Sequence, residues 1–75
     1  MKFKIEGPYS EDDLETLYWS NDLGWVDFDS ATTFSIAELH GSYLPIEFTA
    51  FTLLEIDGSI REKSIGIEDF FDSFS

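Results

Sequence analysis

Nucleophilic catalysis needs a base placed beside a Ser, Thr or Lys, and this sequence offers a single histidine, His40. It stands directly before Gly41 at the expected end of a helix, where the negative end of the helix dipole favours an imidazolium. That is a structural reason for a histidine and needs no catalysis. The sequence contains no Gly-x-Ser-x-Gly, phosphate loop, His-Glu-x-x-His or dinucleotide motif. Carboxylates are abundant, but a glycosidase must set two of them across a cleft, and 75 residues can hardly build one. Asp27-x-Asp29, with Glu38 at the twelfth position, has the outer spacing of a calcium loop. Ala31 then stands where an oxygen ligand is required and Thr32 where the turn needs Gly, so no metal site is expected. With no cysteine, thiolate chemistry, disulfides and Cys-based zinc sites are excluded. The expectation is a protein that is not an enzyme and takes no cofactor.

What the chain does carry is charge. Sixteen Asp and Glu face four Lys and Arg, a formal net charge of −12. Such a chain is repelled by nucleic acid and by anionic lipid, so its expected partner is a basic protein surface. The acids gather in three places: Glu11, Asp12, Asp13 and Glu15; then Asp22, Asp27 and Asp29; then Glu68, Asp69 and Asp72. Solvation alone would explain such groups. The functional reading is an acidic protein-binding module. Its sharper alternative is a DNA mimic, a phage-type inhibitor whose carboxylates stand in for phosphates and block a nucleic-acid-binding protein. Trp19, Trp25, Phe70, Phe71 and Phe74 are candidate aromatic anchors, because aromatics are over-represented in binding hot spots. For the two Trp, the competing role is core. Phe70, Phe71 and Phe74 have the spacing of one helix face that folds back on the sheet, since exposed Phe would invite aggregation.

The elements that must hold these residues point to an α+β fold, a small antiparallel sheet with one or two short helices, in a single domain spanning 1–75. Eight Phe, three Tyr and two Trp argue against wholesale disorder. A domain this small buries only about 60% of the surface its unfolded chain exposes. Lys2 to Glu6 alternates as a half-buried strand that Gly7-Pro8 should break. Ser10 with Asp13 resembles a helix N-cap box, while Leu17-Tyr18-Trp19 suits a strand, so residues 10–19 read either way. Ser20 to Gly24 is a turn, Trp25 to Phe28 alternates again, and Ala31 to Phe34 reads as a short strand. Ser35 and Glu38 form a capping box for a helix ending by Gly41. Tyr43 to Ile56 reads as the longest strand. Asp57-Gly58 then supplies a two-residue type I′ hairpin that places Leu54 opposite Arg61. Lys2 and Lys4 share one strand face, as do Arg61 and Lys63, and cross-strand pairing with Glu6, Glu47 or Glu55 should absorb much of their charge. Edge strands in so small a sheet can pair between copies, which allows a homodimer.

The segment with Tyr18-Trp19-Ser20-Asn21, Gly24-Trp25-Val26, Ala31-Thr32, Phe34 and Leu44-Pro45-Ile46 resembles a family of small uncharacterised bacterial and phage proteins. The likeness covers residues 18–46, under half of the chain. It implies a compact fold and brings no activity, cofactor or partner. No apolar stretch is long enough for a signal peptide or a membrane span, and a cytoplasmic location is the expectation.

Overall fold

A computed structural model describes residues 1–41 and 43–74, the side chain of Phe74 excepted. Its centre is a five-stranded antiparallel sheet, ordered β3-β2-β1-β4-β5. The strands are β1 (Lys2–Ser10), β2 (Glu15–Ser20), β3 (Gly24–Val26), β4 (Ala50–Leu54) and β5 (Ile60–Ile65). Two short helices, α1 (Ile36–Gly41) and α2 (Ile67–Phe74), complete the α+β fold. The sheet pairs Phe3 with Leu53 and Ile5 with Phe51. Because side chains alternate along a strand, these four share one face. With Phe34, Leu39, Ile65 and Phe70 they form the main apolar core.

Phe70, from α2, is fully buried. Its ring lies 4.2 Å from that of Phe51 and meets Phe3 edge-on at 5.0 Å. The expected folding-back of the C-terminal aromatic face is therefore seen at Phe70. The capping box also forms: Ser35 N–H donates to Glu38 Oε1 at 2.9 Å, and Glu38 N–H to Ser35 Oγ at 3.2 Å. A serine hydroxyl and a carboxylate thus satisfy donors that the first turn leaves open.

Several local expectations are overturned. Gly7-Pro8 does not end the first strand, because a register shift between Glu6 and Tyr9 lets the ladder continue past it. Gly7 has a packing reason, since a Cβ there would lie 2.2 Å from the Trp25 ring. Ser10 and Asp13 do hydrogen-bond as a cap would, Asp13 N–H to Ser10 Oγ at 3.2 Å, but the bond closes a turn into β2. The ambiguous residues 10–19 are strand and turn, without a helix. The third strand stops at Val26, and Phe28 lies in a turn. Residues 31–34 contribute only an isolated bridge from Phe34 to Phe3.

The long strand expected over Tyr43 to Ile56 is confined to Ala50–Leu54. Tyr43, Ile46 and Ile56, whose apolar character supported that strand, are fully exposed. The following loop is also not a type I′ pair. Gly58 takes φ +90° while Asp57 is not among the positive-φ residues. Gly58 N–H donates to Glu55 O at 3.0 Å and Glu55 N–H to Ser59 O at 2.8 Å. One left-handed Gly after a turn makes a three-residue loop, which moves the register so that Leu54 faces Ile60 rather than Arg61.

Candidate functional site

The ten candidate carboxylates, Glu11, Asp12, Asp13, Glu15, Asp22, Asp27, Asp29, Glu68, Asp69 and Asp72, are all exposed. None has an ion-pair partner within 4 Å among the described residues. They do not converge. Glu11, Asp12 and Asp13 sit on the turn joining β1 to β2, Glu15 opens β2, and Asp22 sits on the turn at the other end of β2. Asp27 and Asp29 follow β3, and the last three lie along α2.

Each group is displayed by local backbone chemistry. In the first turn, Ser10 Oγ donates to Asp13 Oδ2 at 3.3 Å, and Leu14 takes φ +55°, uncommon for a residue with a Cβ. In the second, the buried Ser20 hydroxyl accepts from Asp22 N–H and Leu23 N–H, which leaves the Asp22 carboxylate in solvent. Gly24, at φ +82°, then turns the chain into β3. On α2, Glu68 and Asp69 occupy the first turn, where the helix dipole favours anions.

Asp27 and Asp29 flank Phe28, which covers a buried cation. Lys4 is 6% exposed, and its Nζ donates to Phe28 O at 2.6 Å and Ala31 O at 3.1 Å. The ammonium lies 4.5 Å from the Phe28 ring centroid, and that ring packs edge-on against Tyr18. Burial pushes the Lys4 amine below its ordinary value of 10.5, against the upward pull of Asp29 and Asp27. The expected pairing of Lys4 with a strand carboxylate is thus replaced by backbone carbonyls. Glu6 is likewise diverted: it is 5% exposed and accepts from Thr52 Oγ1, from Ser64 N–H at 2.6 Å and from Ser64 Oγ at 3.3 Å. Arg61 does pair with Glu55, at 3.7 Å and in solvent, a geometry worth little.

Of the aromatic candidates, Trp19 and Trp25 face each other across β2 and β3, their rings 5.2 Å apart and nearly perpendicular. Both are half-buried and pack on the core, and Trp19 Nε1–H donates to Asn21 Oδ1. Phe70 has no exposed surface to offer a partner, and Phe71 is partly buried. The Phe74 side chain lies outside the described residues. His40 lies in the last turn of α1 with its ring 5.1 Å from that of Phe71. Among the described residues no three His, Asp or Glu gather to hold a metal ion.

The alternation of Lys2 to Glu6 gave no sign of a buried polar row, because Lys and Glu are almost never buried unpaired. That row depends on β1 being the middle strand and on the Phe28–Ala31 loop covering its second face. Only the register reveals it. No described helix is long and apolar enough to cross a membrane. The chain matches no family model, no curated protein and no solved structure.

Proposed function

We propose that the protein is a non-enzymatic module that binds a basic protein surface through its exposed carboxylates. The observation that supports this reading is the fate of the charges. The ten carboxylates stand in solvent without an ion-pair partner among the described residues, while Lys4 is turned inward and Arg61 is held by Glu55. Against them stand only Lys2, Arg61 and Lys63 as exposed cations, so the field outside the molecule is predominantly negative. Such a field draws in cationic surfaces over about a Debye length, roughly 8 Å at physiological ionic strength.

The test is capture of partners from a cell lysate at low and at high salt, with wild-type protein and with Glu11, Asp12 and Asp13 replaced by their amides. Charge-driven partners elute as salt rises and bind the amide variant more weakly. Partners that hold equally well at high salt and to the variant would refute the electrostatic reading. Competition by duplex DNA for a captured partner separates phosphate mimicry from a contact elsewhere on that partner.

A further inference from the structure

We propose that a second, chemically opposite surface lets copies of this chain associate head to tail, the acidic turn of one copy entering a basic and apolar groove on the next.

The groove, of about 490 Å³, is lined by Met1, Lys2, Leu54, Glu55, Ile56 and Arg61. It lies where the first residue of β1, the last of β4 and the first of β5 stand side by side, since Lys2 pairs with Leu54 and Leu54 with Ile60. Two of the four basic residues line it. Its apolar walls are unusually open to solvent: Ile56 is fully exposed and Met1 is 68% exposed. Glu55 lines it in the weak pair with Arg61, Glu38 has a carboxyl that feels the Lys2 charge, and Asp57 and Glu62 follow the lining residues Ile56 and Arg61 in the chain. A solvent-exposed pair of this kind exchanges one carboxylate for another at little cost.

The matching element is at the far end of β1. Residues 11–15 read Glu-Asp-Asp-Leu-Glu, and Leu14 projects from among the four carboxylates with 76% of its surface exposed. Its left-handed backbone closes the turn directly before β2. An aliphatic side chain ringed by acids is the complement of an aliphatic groove holding Lys2 and Arg61. The two cannot meet within one molecule, because the nine residues of β1 hold them roughly 27 Å apart. The contact is therefore heterologous, a knob on one copy against a groove on the next, which extends into a ring or an open chain. The repulsion between two molecules of charge −12 is screened beyond about 8 Å at physiological salt. Contact at the groove survives that screening.

The experiment is sedimentation equilibrium at physiological salt over roughly 10 μM to 1 mM, the range of weak contacts. Wild-type protein is expected to gain average mass with concentration. Arg61→Glu keeps the knob and spoils the groove; Leu14→Asp keeps the groove and spoils the knob. Both positions are exposed, and an unchanged circular dichroism spectrum establishes that each variant folds. Each alone should stay at the monomer mass of 8.6 kDa. An equimolar mixture should form a 1:1 pair of twice that mass and stop there, since only one intact knob and one intact groove remain. A wild-type chain that is monomeric throughout overturns the proposal, as does a mixture of folded variants that fails to pair. A monomeric wild type whose groove captures an acidic segment of another protein, lost in Arg61→Glu, also overturns it by giving the groove a different occupant. These outcomes are independent of the salt-sensitive capture of basic partners.

Discussion

At the scale of single residues, Lys4 decides how the second face of the sheet closes. Its ammonium is the donor for the carbonyls of Phe28 and Ala31. Lys4→Met keeps the stem but leaves both acceptors without it, at an expected loss of about 1–3 kcal/mol in urea unfolding. The pH dependence has a definite sign. Burial holds the folded-state value below 10.5, so just under 10.5 the unfolded chain binds more protons than the folded one. The stability contributed by this site therefore rises with pH through that window. The difference in unfolding free energy between wild type and Lys4→Met should grow accordingly, and a flat difference would mean that the amine is not shifted. At Glu38, bonds from the Ser35 backbone and hydroxyl hold the carboxyl below its ordinary 4.5. Its contribution is thus present above that value and fades as pH falls through the lowered one. Ser35→Ala removes the reciprocal cap and should cost about 1 kcal/mol.

At the scale of elements, the strands were legible where one face alternated and a cap or turn residue marked the end. α1 was readable from Ser35 and Glu38, and the turn over 21–23 from Asn21, Asp22 and Gly24. Elements were misread where a local signal served a tertiary purpose. Gly7 looked like a breaker, yet it is a passage for the Trp25 ring. Gly7→Ala should therefore cost about 1–3 kcal/mol through overpacking, seen as a lowered thermal midpoint with altered Trp fluorescence. Tyr43, Ile46 and Ile56 suit a strand by hydropathy, although nothing among the described residues covers them. The acidic candidates are legible as exposed groups because Asp and Glu are almost never fully buried unless paired, whether in turns, at a strand end or along a helix. Glu6 is not, because its burial depends on Thr52 and Ser64, distant in sequence.

At the scale of the molecule, stability rests on few residues. Phe70 carries the contact of α2 with both β1 and β4. Phe70→Ala should cost about 3–5 kcal/mol, a large part of the 5–15 kcal/mol typical of a domain. Loss of the near-ultraviolet aromatic signal at room temperature is the expected outcome. Net charge works in the same direction. Self-repulsion at −12 weakens the compact state, so moderate salt should raise the thermal midpoint while weakening capture of basic partners.

The Glu6 carboxylate has one further consequence, for the order in which the chain comes apart. β5 borders a single neighbour, and most of it is exposed, so on its own it would fray. Yet the Ser64 amide, held at φ +59°, donates to a side chain rooted two strands away. Opening β5 at Ser64 therefore also strips a buried carboxylate on the central strand of two of its three donors, leaving Thr52 Oγ1 alone. The beginning and the end of the chain become one cooperative unit. In native-state hydrogen exchange, the Ser64 amide should exchange as slowly as those of β1, far behind its neighbours Glu62 and Lys63.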